Sequence, residues 1–381
     1  MFIQRLLEKL TQLIQLIQVT QFGQFGQFGQ RQLRQLRQLG QRQKRILPNM
    51  RYEIGVVIGK FYPLHKGHQY LIETAIKNSE HLYIIICTKD EEVPGPSIRI
   101  KWLKELYNCP NITIKQIVDI YDQNDSKLWA ELTKETIGNN RSPDVVFTSE
   151  NYGHDYAMYL KCAHELVDLE RINIPISGTL IRNNPFQYWD YLHEIVRQFY
   201  TIKFVFCGAE STGKTTLSYR LASELKLAWV LEYGREYCKN IKNWTKKDFE
   251  NIANKQNKIE NEAARNNKVI ICDTDSNTTK LWCKRYTEEE TNFNFNFKPD
   301  YSDNTFYIFS HVEGTELIDD GTRTDSNDEI RSCMHKELLE TMTASGRPVL
   351  ILTGSYDQRY EQAKEYIINI YKYKKIEKLN N

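Results

Sequence analysis

From residue 51 the chain alternates short apolar runs with amphipathic stretches. Ile54 to Ile58, Leu82 to Cys87, Ile112 to Val118 and Val145 to Thr148 are rich in Ile and Val and predict strands. Gln69 to Lys77, Ile98 to Tyr107 and Lys127 to Ile137 mix apolar and charged positions and predict helices between them. Farther on, Ile202 to Phe206, Leu227 to Leu231 and Val269 to Cys272 are again strand-like, and Leu217, Leu221 and Leu225 recur at the spacing of a helix burying one face. Strands alternating with helices predict parallel, doubly wound sheets, whose ligands sit beyond the carboxyl ends of the strands. A chain of 381 residues has room for two such domains. The expected fold class is therefore α/β, with two doubly wound parallel-sheet domains over 50–200 and 201–375.

Residues 1–49 follow no such pattern. Phe2, Leu6, Leu10, Leu13, Ile14 and Ile17 have helical spacing, but Gln-Phe-Gly then repeats three times from Gln21 and Arg-Gln-Leu three times from Arg31. Such low-complexity sequence cannot build a core. Glu8, Lys9 and several glutamines interrupt any secretory signal, while the basic, acid-poor start has the composition of an organelle-targeting peptide. The leading expectation is a dispensable extension, disordered or partly helical, with Met50 as the working start.

Charge and cysteines narrow the function classes. The net charge is +2, but the extension holds eight Lys/Arg and one Glu, which leaves 43 basic and 48 acidic residues elsewhere. A mildly acidic folded part argues against a nucleic-acid partner. Eight cysteines lie without C-x-x-C spacing or a Cys/His cluster, so reduced, cytoplasmic thiols are expected instead of zinc or disulfides. No run has the unbroken apolar length of a membrane span.

The stretch Gly208-Ala209-Glu210-Ser211-Thr212-Gly213-Lys214-Thr215 fits G-x-x-x-x-G-K-[ST] at every fixed position, between a predicted strand and a predicted helix. An ordinary glycine turn needs neither flank. Gly208 and Gly213 let backbone N–H groups, with Glu210, Ser211 and Thr212 between them, close around ATP phosphates. Lys214 adds charge at the β/γ-phosphates, the Thr215 hydroxyl can hold Mg²⁺, and Thr216 belongs to the same ATP-binding set. Asp273, after Val269 to Cys272, has the Walker B form and can hold Mg²⁺ directly or through water. Glu232, at a further strand end, can take the proton of an attacking hydroxyl. Asp275 competes for that role, and spacing does not separate the two. A GTPase would show Asn-Lys-x-Asp; the nearest run, Asn254-Lys255-Gln256-Asn257, lacks the aspartate.

The first strand runs into Gly59-Lys60-Phe61-Tyr62-Pro63-Leu64-His65-Lys66-Gly67-His68. Two histidines at a helix entry can point at one anion, and no third His or Cys nearby suggests a metal. This stretch resembles the H-x-G-H signature of the nucleotidyltransferase superfamily, and Ile176-Ser177-Gly178-Thr179-Leu180-Ile181-Arg182 resembles its partner, I-S-x-T-x-x-R. From about Tyr52 to Ile370 the chain resembles the NadR-type bifunctional proteins, which fuse a nicotinamide-nucleotide adenylyltransferase to a ribosylnicotinamide kinase. Further matches are Pro96-Ser97-Ile98-Arg99, Ser149-Glu150-Asn151-Tyr152-Gly153, Leu231 to Tyr237, Asp273-Thr274-Asp275 and Asp320-Gly321-Thr322-Arg323. Some members add an N-terminal helix-turn-helix repressor domain, for which residues 1–49 are too short and too repetitive.

The resemblance implies that the C-terminal domain phosphorylates ribosylnicotinamide with ATP to nicotinamide mononucleotide (NMN). The N-terminal domain would then adenylylate NMN to NAD and pyrophosphate. His65 and His68 would contact the ATP phosphates; Ser177, Thr179 and Arg182 would hold the β- and γ-phosphates; Gly59, Lys60 and Phe61 would complete the ATP side. Arg99, Ser149, Glu150 and Gly153 would read the mononucleotide, with Trp129 or Tyr152 stacked on its ring. Arg323 would close over the kinase phosphates. A homo-oligomer is compatible with this reading. The rival function class is a non-catalytic sensor of nucleotides. Deleting residues 1–49 is predicted to leave both implied activities intact; a truncated protein that stays folded but inactive would contradict this.

Overall fold

The central apolar runs become strands covered on both faces, as parallel sheets require, while Ile112 to Val118 forms a partly exposed edge. The computed structural model describes residues 51–122, 125–138, 141–238, 244–287, 304–316 and 328–374. The extension 1–49, Arg323 and residues 288–298 of the Asn/Phe stretch lie outside the described residues. Strands β1 (Tyr52–Gly59), β2 (Ser79–Thr88), β3 (Ile112–Val118), β4 (Val145–Thr148) and β5 (Ala163–Leu166) form one sheet, ordered β3-β2-β1-β4-β5. Leu82 pairs with Ile112, Gly55 with Val145 and Val145 with Ala163, all in parallel ladders. The chain moves from β1 outward to β3, then returns to the other side of β1. A crevice therefore opens between the carboxyl ends of β1 and β4.

The second sheet holds β6 (Ile202–Cys207), β7 (Ala228–Val230), β8 (Val269–Cys272), β9 (Thr305–Ser310) and β10 (Val349–Leu352), ordered β10-β9-β6-β8-β7 and again parallel. The α/β class and the two-sheet arrangement agree with the sequence pattern. Strands β5, β9 and β10 lie beyond the assigned runs; β5 reads Ala-His-Glu-Leu at an edge, so no apolar run marks it.

Helices α1 (Lys66–Asn78), α2 (Pro96–Leu106), α3 (Ser126–Ile137), α4 (Gly153–Leu160), α5 (Gly178–Asn183) and α6 (Glu194–Tyr200) accompany the first sheet in sequence. Their apolar faces build one core: Val56, Ile85 and Val146 from the strands meet Trp129, Tyr156 and Leu160 from α3 and α4. With the second sheet come α7 (Lys214–Glu224), α8 (Tyr233–Cys238), α9 (Lys246–Asn266), α10 (Ser276–Thr287), α11 (Asp328–Ala344) and α12 (Tyr356–Tyr373). Here Val205, Ile270 and Phe309 meet Met334 and Leu338 of α11.

Helix α9 starts at a capping box, in which the Thr245 side chain accepts the Asp248 N–H and the Asp248 side chain accepts the Thr245 N–H. Its buried stripe is Phe249, Ile252, Ala253, Gln256, Glu260 and Ala264. The two polar members stand out because the helix buries them at apolar positions. Glu260 takes a hydrogen bond from the Lys203 ammonium of β6. Burial works against the Lys203 charge, but Glu260 more than offsets it and the pKa rises. Replacing one partner strands the other: Lys203→Met is predicted to cost about 3–5 kcal/mol. Hydrogen exchange should show faster exchange of β6 and β8 amides with β1 and β4 unchanged.

Candidate active sites

Beyond β1 the chain turns and enters α1 at His65, which caps the helix. Its Nδ1 accepts the backbone N–H groups of Gly67 (3.1 Å) and His68 (3.4 Å). A neutral imidazole accepting at Nδ1 carries its proton on Nε2. His65 therefore offers one donor, aimed by the helix start. The His68 ring stacks on it with centroids 3.8 Å apart, and Phe61 meets His68 edge-on. Burial, then His68 and Arg171, holds the His65 pKa well below its ordinary value. Burial, then Arg171, brings His68 down to about 3. Both rings are neutral at physiological pH and act as hydrogen-bonding groups.

Arg171 acts electrostatically on both rings, and further cations lie on the neighbouring motifs. Ser177 caps α5 by accepting the Leu180 N–H (3.3 Å), and Arg182 donates to Thr179 Oγ1 (3.1 Å) and to the Tyr62 carbonyl (2.6 Å). The guanidinium also lies over the Tyr62 ring at 4.4 Å. A Cβ on Gly178 would stand 2.4 Å from the Tyr62 carbonyl oxygen, so only glycine lets the two motifs meet. Lys60 Nζ lies 3.1 Å from Asp119 Oδ2 and 3.6 Å from Glu92 Oε1. Ser149 and Glu150 follow β4 directly, and the exposed Tyr152 donates its hydroxyl to the Ile58 carbonyl (3.3 Å). Arg171, unmarked by any motif, pairs with Glu150 at 3.2 Å. Its loop is organised by Asp168, whose carboxylate accepts the backbone N–H groups of Asn173 and Ile174, each at 3.0 Å.

The second site starts where β6 ends. Gly208 has φ +134°, and a Cβ there would lie 2.6 Å from the Ser310 carbonyl oxygen. The loop is thereby pressed against the end of β9. Thr212 Oγ1 (2.8 Å) and Lys214 Nζ (2.7 Å) both donate to the Ala209 carbonyl across the loop. Burial lowers the Lys214 pKa, against the pull of Glu232 and Asp273. The Asp273 pKa is pushed up to about 6 by burial first and by Glu232 next, with Thr215 and Lys214 pulling the other way. Asp273 Oδ1 is buried and has no hydrogen-bond partner. An open carboxylate oxygen beside a threonine hydroxyl is a donor set that fits Mg²⁺. Glu232 follows β7 and accepts from Arg235 Nε at 3.1 Å. Arg331 of α11, also outside every motif, donates to the Glu210 carbonyl (3.0 Å) and braces the loop from behind.

A model of the family described as citrate lyase ligase C-terminal domain matches residues 54–120, and one described as AAA domain matches residues 203–359. Each falls on one of the two sheets. The chain is 29% identical over 346 residues to the trifunctional NAD biosynthesis/regulator protein NadR of Escherichia coli (strain K12), covering 84% of this chain and 84% of that protein. The same figures hold for the protein of that name from Salmonella typhimurium (strain LT2). The chain is similar to NadR across both sheets. Two NadR crystal structures share its fold at 23% sequence identity, and each matches 84% of this chain. The one in complex with NAD and AMP-PNP has a TM-score of 0.58 over 97% of its own chain, and the one in complex with NR has 0.61 over 96%.

Several side chains expected at the ligands are engaged elsewhere. Arg99 is 0% exposed; it donates to Glu92 Oε2 (2.6 Å) and to the Lys60 carbonyl (2.7 Å), so it braces the loop after β1 from beneath. Trp129 sits in the core of the first sheet with its indole N–H donated to the Asp122 carbonyl (2.9 Å), whereas Tyr152 reaches the end of β1 through its bond to the Ile58 carbonyl. Asp275 accepts from the Asn277 N–H (2.9 Å), Thr278 N–H (3.0 Å), Asn277 Nδ2 (3.0 Å) and the Tyr307 hydroxyl (2.8 Å). Its carboxylate caps α10. Arg323 lies outside the described residues.

The histidine pair has a consequence for acid stability. His68 titrates near 6.5 when unfolded and at about 3 when folded. Between these values the unfolded chain binds the extra proton, so stability is complete above about pH 6.5 and falls as pH drops toward 3. His68→Gln is predicted to reduce the loss of stability between pH 7 and pH 5, measured by urea unfolding; an unchanged loss would contradict the assignment.

Proposed function

We propose that the chain is a bifunctional enzyme of NAD biosynthesis and salvage. In this reading residues 201–375 phosphorylate ribosylnicotinamide with ATP, and residues 50–200 join the product, NMN, to the adenylyl group of a second ATP. The observation that carries the proposal is the pairing of a histidine-capped helix start in the first sheet with a glycine-lysine loop in the second, each at the carboxyl edge of its sheet, in a chain similar to NadR. NadR proteins crystallised with NAD and AMP-PNP and with NR support the substrate class. We place the protein in the cytoplasm on its free cysteines; no described helix is long and apolar enough to cross a membrane.

In the first site an NMN phosphate oxygen attacks the α-phosphorus of ATP, and the bond to the bridging oxygen breaks to release pyrophosphate. The nucleophile is already an anion, so alignment and charge stabilisation suffice. His65 Nε2–H and His68 donate hydrogen bonds to the transferring group. Because both rings are neutral, the positive charge comes from Arg182, Arg171 and Lys60.

In the second site the ribosyl 5′-hydroxyl oxygen attacks the γ-phosphorus while ADP leaves. Glu232 takes the hydroxyl proton, since five donors already occupy Asp275. Lys214 exchanges the Ala209 carbonyl for the phosphates. Thr215 and Asp273 would hold Mg²⁺, which when bound neutralises phosphate charge.

Product analysis with ATP and either ribosylnicotinamide or NMN tests the proposal. His68→Ala should slow NAD formation from NMN by roughly 10²- to 10³-fold, the usual loss for one preorganised donor, and spare phosphorylation. Lys214→Met should abolish phosphorylation and spare NAD formation from supplied NMN. Asp273→Asn should impair phosphorylation selectively. A wild-type protein that binds nucleotides yet forms neither product would favour the sensor reading instead.

A further inference from the structure

We propose that Gln256 is a positioning residue for phosphoryl transfer, holding Glu232 at the phosphate loop through a polar relay in the core of the second sheet. The inference rests on the assignment of Glu232 as the proton acceptor. Gln256 is 0% exposed on the stripe of α9 otherwise made of Phe249, Ile252, Ala253 and Ala264, with Glu260 one turn on. Its amide is used at both ends and in opposite senses. Oε1 accepts the Tyr233 N–H (2.9 Å), and Nε2 donates to Glu260 Oε1 (3.1 Å). A backbone amide can only donate and an ionised carboxylate can only accept, so one amide orientation satisfies both. Glu260 is neutralised in turn by Lys203 of β6, the strand that runs into the phosphate loop.

The relay ends on an amide that needs a partner. The first N–H groups of a helix have no acceptor within it, and Tyr233 opens the six-residue α8. Gln256 supplies the acceptor from another helix. Tyr233 directly follows Glu232, so fixing its amide fixes the backbone from which the carboxylate projects. Gly234 seats the same turn on α9, since a Cβ there would lie 3.6 Å from Ile252 Cγ2. Burying a Lys–Glu–Gln chain costs desolvation that apolar side chains would avoid. Its directional end explains what the apolar alternative lacks: a Leu at 256 would pack but leave both Tyr233 N–H and Glu260 without this bond.

Gln256→Met keeps length and volume but removes both bonds. Its kcat for ribosylnicotinamide phosphorylation should fall on the order of 10²-fold, the scale for a small misplacement of a catalytic group. KM for ATP and NAD formation from NMN should not change. The deciding measurement is a double-mutant cycle: in a Glu232→Gln background, Gln256→Met should add no further loss of kcat. An equal loss in both backgrounds, or wild-type kcat for Gln256→Met, overturns the inference and leaves the role of Glu232 standing. Wild-type kcat for Glu232→Gln overturns that role itself and the inference with it. Should the methionine variant not fold, Gln256→Glu decides. Its carboxyl would face the Glu260 carboxylate; protonated, it accepts from Tyr233 and donates to Glu260, and ionised, it is repelled by Glu260. Its kcat should stay near wild type at pH 6 and fall as pH rises with the fold retained by circular dichroism. A profile parallel to wild type overturns the relay.

Discussion

A polyphosphate can be held only where several N–H donors converge with few counter-charges already occupying them, and everything here depends on meeting that condition twice. A parallel sheet meets it at one edge: each strand ends there and each following helix begins there, so unpaired helix amides face the same side. In the first sheet this edge carries the turn after β1, the end of β4 and the start of α5. In the second it carries the loop after β6, the ends of β7 and β8, and the close approach of Gly208 to β9.

The two edges solve the charge problem differently. The first keeps its central histidines neutral by burial, uses one of them as a helix cap, and leaves charge to arginines and a lysine at the margin. The second buries charge outright: Lys214 leans on a carbonyl of its own loop, and Asp273 keeps an oxygen open beside Thr215. An ammonium on a neutral carbonyl and a buried carboxylate with one unpartnered oxygen are groups that a phosphate and a cation would satisfy better.

Polar residues in the cores follow the same logic at one remove. Arg99 beneath the loop after β1 and Arg331 behind Glu210 both donate to backbone carbonyls of the loops they support. Lys203, Glu260 and Gln256 end on a backbone amide. In each case a side chain with fixed donor geometry is spent on main-chain atoms that carry a site, where an apolar side chain would pack without orienting anything.

Much of this was legible in the chain itself. Burial on both faces demands unbroken apolar runs, so most strands, the two-sheet plan and the edge where ligands gather follow from residue pattern alone. The phosphate loop and the histidine motif were equally plain, because their glycines, lysine and histidines act through neighbours in sequence. Tertiary structure alone decided the rest. It set Tyr307 and the start of α10 against Asp275, and it drew Trp129 into the core. It also brought Arg171, Arg331 and Gln256 to places no spacing announces. These are contacts between side chains and backbone groups far apart in the chain, and a periodicity records which face a residue occupies but not which atom waits opposite it.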